Sequence, residues 1–463
     1  MNTPMSAHTP TPRLSHELRA LLSLSGPLII AFMGYQTITL VDTFAAGRIG
    51  VETLAAVSLG GAIYWAVTIF PLGVLLGLDP IVSQALGAGD RDSAWRAVQR
   101  GLGLASLMSL AAMALIYLLG TPGLPWAPPN TPVTDALGGY LLGRLWCVPM
   151  MLIHTCARCY LQAQERARPV LAGTLIANAL NLPLSLYLGG GDALLVGLGL
   201  PALGLLTHGL GALGIGLASA FVETVEAVFL VWIASRVSGA APTPRRDGWG
   251  ELLRVGLPVG GSMLSEGGVF SASTLIVSAW APIVIGAHSV TMQLASYTFT
   301  LSLGVANATT VRVGRAVGAQ SWARARLAAL AGLIVSLTIM SGTALAFSTQ
   351  GAPLARLISQ DLEVVTLSAS LLAVAAVFQL FDGAQVVMAA ALRGAGFTQT
   401  PLWSAIVSHW GVGLPLALFF AFHLGWGVEG LWWGLCGGLC CAALILSSRF
   451  YVLSGRAARA AAE

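Results

Sequence analysis

Twelve stretches of this chain, roughly 18–46, 52–80, 93–119, 132–158, 167–188, 211–235, 251–279, 285–312, 324–347, 363–392, 401–421 and 428–450, each run for about 20 residues or more of mostly apolar sequence. Each is long enough to cross a hydrocarbon core about 30 Å thick as a helix. Only 9% of the residues are charged, against about 25% in a soluble globular chain. The expected class is therefore an all-α polytopic membrane protein with twelve transmembrane helices.

The charged residues exclude several functions. All 23 basic residues are arginine. Without a lysine there is no Walker A phosphate loop and no Schiff-base chemistry. The net charge of +4 does not point to nucleic acid, because the arginines lie between apolar spans, where they report topology. The six cysteines lie in apolar spans; Cys156 and Cys159 form a lone CxxC that reads as packing rather than as a metal site. No HExxH or GxSxG cluster is present, so an enzyme is not expected.

Arginine placement sets the orientation. With the N-terminus inside, Arg13, Arg19, Arg91, Arg96, Arg100, Arg158, Arg166, Arg168, Arg236, Arg245, Arg246, Arg254, Arg312, Arg315, Arg324, Arg326, Arg393, Arg449, Arg456 and Arg459 fall on the inner side. Arg48 and Arg356 fall outside, and Arg144 falls within a span. Both termini are then cytoplasmic. A thirteenth span in Gly189–Leu210 would invert everything after it. That stretch carries Pro201 and many glycines, and reads as a loop or short interfacial pieces. The expected organisation is a disordered N-terminus (1–17, with Met1–Pro12 polar), an N-lobe (18–236), a Pro/Gly-rich cytoplasmic linker (237–250), a C-lobe (251–453) and a tail (454–463).

The halves repeat. Gly26-Pro27-Leu28 matches Leu257-Pro258-Val259 at an offset of 231 residues, and Ala56/Ala287, Gly73/Gly304, Gly87/Gly318 and Leu161/Leu392 keep that offset. Pro169/Pro401 and Pro183/Pro415 follow at 232. An even number of spans per half makes the repeats parallel, as in transporters that rock two six-helix lobes around a central site.

Six carboxylates fall within spans: Asp42, Asp79, Glu223, Glu226, Glu266 and Asp382. A carboxylate at mid-bilayer costs about 2.5–3.5 kcal/mol on insertion scales, so each is a functional candidate. Asp382 lies about 16 Å of helix from Arg393, and Glu266 about 18 Å from Arg254, which puts both near the midplane. Asp42 lies about 9 Å from Arg48, in the outer half. With no arginine expected mid-span to neutralise them, Arg144 being the nearest candidate, the acids suggest a cavity for protons or cations. Glu223 and Glu226 share a helix face at i,i+3, lining the path or forming a polar seam. Asp79, at an inner span end, suits a structural or gating role. Gln36, Asn178 and Asn181 are polar neighbours in the first half; amides in such helices also serve to bond helix to helix.

The chain resembles the multidrug and toxic compound extrusion (MATE) family in its NorM-like bacterial branch. The resemblance rests on Val41-Asp42-Thr43-Phe44-Ala45-Ala46-Gly47, Ser83-Gln84-Ala85-Leu86-Gly87-Ala88-Gly89-Asp90, Gly256-Leu257-Pro258 leading to Glu266, Val311-Arg312-Val313-Gly314, and Gln379 with Asp382, Gln385 and Leu392-Arg393-Gly394. It covers nearly the whole chain. It implies a V-shaped pair of pseudo-symmetric six-helix lobes and antiport of drugs, amphipathic organic cations above all, against protons or sodium, with no cofactor. It implies cation coupling by Asp42, Glu266 and Asp382, with Glu266 the partner of Asp382 across the C-lobe. Asn181 matches a family asparagine that assists Asp42, so Asp42, Asn181, Glu266 and Asp382 are the candidate sodium ligands. Gln36, Asn178, Glu223, Glu226, His288, Gln293 and Gln379 become candidate cavity residues. Two positions depart from the family pattern: Ser185 where a second asparagine is common, and His288-Ser289 where His-Gln is common, with Gln293 a turn further on. The expected protein is a monomeric inner-membrane exporter of small molecules. A flippase for lipid-linked sugars is the alternative, disfavoured by the scarcity of arginine within the spans.

Overall fold

The computed structural model describes residues 13–120, 131–238 and 248–460. The polar Met1–Pro12, most of the linker and the last three residues of the tail, all discussed above, lie outside the described residues. Twelve long helical segments follow in order: α1 Leu14–Ile49, α2 Val51–Gly87, α3 Arg91–Gly120, α4 Pro132–Ala163, α5 Ala167–Gly197, α6 Ala212–Ser238, α7 Gly250–Val277, α8 Pro282–Gly318, α9 Trp322–Thr349, α10 Leu362–Gly394, α11 Gln399–His423 and α12 Gly427–Ala460. Ten of them are both long and apolar enough to cross a membrane. The other two, α7 and α8, are as long, with 28 and 37 residues. Several helices run past their sequence-based ends: α4 continues to Ala163 and α5 to Gly197.

The Gly-rich stretch that begins in the last turns of α5 makes no thirteenth crossing. Gly191 leaves helical geometry at φ 67°, where a side chain would be strained. The chain then folds back on itself, with the amides of Leu210 and Gly211 bonding the carbonyls of Leu188 and Gly189. The Asp192 carboxylate accepts from the amides of Leu203 and Gly204 and pins the loop.

The repeat is visible in the turns. α2 and α8 end in Schellman closures, with Asp90 N–H donating to Ala85 O and Ser321 N–H to Ala316 O. α4 and α10 do the same, through Arg166 to Leu161 O and Phe397 to Leu392 O. Each closure needs one left-handed residue past the helix. These are Gly89 and Gln320 in one equivalent pair, and Glu165 and Gly396 in the other, all at positive φ. Only two of the four are glycine.

The two lobes meet by the same symmetry. A Cβ on Gly87 would fall 2.2 Å from Arg315 O, and one on Gly318 would fall 2.0 Å from Gln84 O. The Gln84 amide donates to Gly394 O at 2.9 Å, and its equivalent Arg315 donates to Ala163 O at 3.5 Å. Gly73 faces Gly260, and Gly304 faces Ile29. Every one of these pairs maps onto its counterpart at the offset of 231, so the interface is isologous within one chain. Glycine lets the backbones touch, and close backbone packing is what joins helices in lipid.

One feature of this interface is asymmetric. Arg312 of α8 binds Glu17 of α1 at 2.5 Å and Glu165 at 2.7 Å. Arg315 reaches Glu165 at 3.3 Å, and Arg324 reaches Glu17 at 3.6 Å. The equivalents of Glu17 and Arg312 in the other half are Gly248 and Ile81, so this ion network exists once. Among the described residues, all ion pairs and hydrogen bonds between the lobes lie at the Glu17 end of the bundle. A continuous apolar core there, including Leu21, Leu28, Val305 and Val311, crosses from one lobe to the other.

Candidate functional site

Each lobe carries its own polar site. In the N-lobe, Asp42 on α1 is 1% exposed. Its carboxylate accepts from Asn181 and Ser185 of α5, both at 3.2 Å, and from Ser219 of α6 at 2.6 Å. The Asn181 carbonyl oxygen is buried without a partner. The expectation that no mid-span base faces these acids is corrected here. Arg144 of α4 lies 3.8 Å from Asp42, donates to the Tyr140 hydroxyl and stacks over Tyr64 at 4.5 Å. A guanidinium on a neighbouring helix supplies the counter-charge that the linear order hid. Gln36, one turn and a half from Asp42, is not among its partners.

This arrangement gives a stability prediction. Removing one partner of a buried ion pair costs about 3–5 kcal/mol, because the other charge is left uncompensated. Arg144→Ala is expected to lower the unfolding midpoint of the purified protein markedly. Adding Asp42→Asn to it should restore most of the loss in the same thermal-unfolding assay.

In the C-lobe, Asp382 on α10 is buried and lies within electrostatic reach of Glu266 on α7. The two carboxylates do not bond directly. Gln385, one turn beyond Asp382, donates to Glu266 at 2.8 Å. Arg393 acts electrostatically on both Glu266 and Asp79. Asp79 is buried, with one carboxylate oxygen unpartnered. Among the described residues, neither acid of the C-lobe pair has a contacting guanidinium, unlike Asp42.

The remaining candidates scatter. Gln379 donates to the Thr298 hydroxyl and to Ala295 O, so it joins α10 to α8. Asn178 donates to Gly34 O and Thr174 O, a bond between α5 and α1. His288 meets Thr274 at 3.2 Å and the Trp432 ring edge. Gln293 is exposed. Glu223 and Glu226 face His154 of α4, at 3.5 and 3.7 Å, with Tyr35 and Thr174 bonded to Glu226. Sequence reasoning named Arg144 only as the nearest base, and Ser185 and Gln385 only as motif positions; it missed Ser219 and His154 as site residues. Gln385 and Ser219 were findable, each one helical turn from an intramembrane acid.

The family model described as MatE matches residues 27–187 and 258–419, two stretches that begin 231 residues apart. The chain belongs to the MatE family. As a MATE protein it is a multi-pass membrane transporter and not an enzyme. It is 36% identical to the probable multidrug resistance protein NorM of Deinococcus radiodurans, over 98% of this chain and 99% of the relative. It is 34% identical to the protein of the same name from Xanthomonas campestris, over the full length of both. Among solved structures, its fold resembles a eukaryotic MATE transporter with TM-score 0.81, covering 97% of this chain and 99% of that one at 18% identity. It also resembles a multidrug resistance MATE family transporter in its outward-facing conformation, with TM-score 0.83 over 97% and 99%.

Proposed function

We propose that this MATE chain is a multidrug exporter of the bacterial inner membrane that exchanges amphipathic organic cations for protons or sodium ions. The observation that carries the reading is the C-lobe pair, Glu266 and Asp382, bridged through Gln385 and without a contacting base. Two carboxylates in one low-dielectric pocket bind a cation strongly and repel one another when it leaves. An incoming ion and an outgoing organic cation compete for that charge, which is the requirement for exchange. Asp42, with Asn181, Ser185 and Ser219, presents oxygen donors of the hard-cation type, but Arg144 offsets its charge. The C-lobe pair therefore carries the coupling, and Asp42 answers to it from the N-lobe. The moving units are 18–236 and 251–453, joined by 237–250, with both termini and the Glu17 end on the cytoplasmic side.

The test is efflux of a fluorescent organic cation from proteoliposomes under an imposed proton gradient or an imposed sodium gradient, one at a time. One of the two gradients is expected to drive uphill export. Equal export with neither gradient would sink the reading.

A further inference from the structure

The geometry points to a second ion-exchange site, in the N-lobe, where Glu223, Glu226 and His154 bind a proton that an organic cation displaces. This rests on the antiport reading above and deepens it, since it names the ion taken up by the N-lobe.

The repeat leads to the site. At the offset of 231, Glu266 of the C-lobe corresponds to Tyr35, and Gln385 corresponds to His154. The hydrogen bond between Gln385 and Glu266 at 2.8 Å has its counterpart in the bond between Tyr35 and His154 at 3.0 Å. The N-lobe therefore has a polar site at the same place in its fold, with different chemistry. Its acids come from α6 instead of α1. The imidazole lies between them, Nδ1 3.5 Å from Glu223 and Nε2 3.7 Å from Glu226. The Tyr35 hydroxyl donates to Glu226 at 3.3 Å and Thr174 donates at 2.7 Å. Glu226 Oε2 is buried with no hydrogen-bond partner, and Glu223 Oε1 has only the imidazole, at 3.5 Å. Unpartnered buried carboxylate oxygens are costly unless they take up a ligand.

Proton, rather than metal, is the ion that fits. A hard cation needs several oxygen ligands around it, but here an imidazole occupies the space between the carboxylates. The charged and titratable neighbours are Tyr35 on α1, Tyr64 on α2, and Arg144, Cys147 and Arg158 on α4. Arg144 is taken up by Asp42, and Arg158 lies under the Phe32 ring. Counting Arg158, one protonated glutamate, one ionised glutamate and a neutral histidine give zero net charge. Losing that proton leaves one negative charge, which is the state that attracts an organic cation. Substrate and proton thus exclude each other by charge at this site.

The test measures protons released when tetraphenylphosphonium is added to the purified protein in weakly buffered detergent solution, read with a pH-indicator dye. Infrared difference spectra across a pH jump follow the protonated carboxyl band in parallel. Glu226→Gln, Glu223→Gln and His154→Asn are each expected to lose one released proton per chain, and the glutamine variants to lose a carboxyl band. Three separate variants are used so that one failing to fold leaves two. The double variant Glu266→Gln/Asp382→Asn should keep this N-lobe proton. If all three N-lobe variants release as many protons as the unaltered protein, or if the C-lobe double variant removes all release, the inference is overturned. If the C-lobe double variant still transports, the coupling assignment above fails while the N-lobe proton stands.

Discussion

Glu266→Gln and Asp382→Asn are each expected to abolish gradient-driven efflux while the protein still inserts, binds detergent and folds. The amides keep the shape of the acids, so packing between α7 and α10 is preserved. In the proposed exchange, what is removed is the charge for which an entering ion and a leaving cation compete. The size of the loss follows from the driving force. A tenfold ion gradient is worth about 1.4 kcal/mol, which sustains about a tenfold substrate gradient in one-for-one exchange. An uncoupled carrier sustains none, because its substrate can only equilibrate. Accumulation ratios in proteoliposomes therefore fall to unity in both variants, while binding of the organic cation weakens without vanishing, since Asp42 and the N-lobe acids remain. Uphill export by either variant at the rate of the unaltered protein would remove the C-lobe pair from the coupling step.

How much of this was readable in the chain depends on how local the signal is. The twelve spans and the repeat are local properties of composition and spacing, and the helices follow them, with ends shifted where an arginine such as Arg158 is carried inside the bundle. The left-handed turns were half readable. Gly89 and Gly396 are marked by glycine, but Glu165 and Gln320 hold the same geometry without it. The depths of Glu266 and Asp382 followed from counting residues to the nearest arginine. Their bridge did not, because Gln385 bonds across 119 residues. Arg312, Arg315 and Arg324 read as topology markers. Only packing shows that Arg312 meets Glu17, 295 residues away. Arg144 was the most informative miss. Its position in a span was plain, but the acid it compensates is on another helix, and Ser185 stood out only as a departure from the family pattern.

Leucine at Gly87 or at Gly318 is expected to prevent the lobes from closing at the Glu17 end and to stop transport. The added Cβ would lie 2.2 or 2.0 Å from a carbonyl oxygen of the opposite lobe. The obstacle is backbone, so no rotamer change relieves it, and the helices must separate. Overpacking of this kind costs about 1–3 kcal/mol in a core that can adjust. Here the adjustment is the lobe motion itself, so the strain is released by shifting the population toward the state open at this end. The ion network opposes that shift, because Arg312 bridges Glu17 and Glu165. Arg312→Ala should ease opening by a smaller step, since Arg324 still reaches Glu17 at 3.6 Å. Spin labels at Asp92 and Ala323, exposed and equivalent in the two lobes, report the separation in a background lacking the six cysteines. Their distance should lengthen in Gly87→Leu and Gly318→Leu alike, because the two glycines occupy equivalent places in an isologous interface. A transporter must open and close both ends to complete a cycle, so an end that cannot close leaves a path for leakage or a carrier that never returns. If either leucine variant transports normally with an unchanged label distance, the closed Glu17 end is not a state through which the cycle passes.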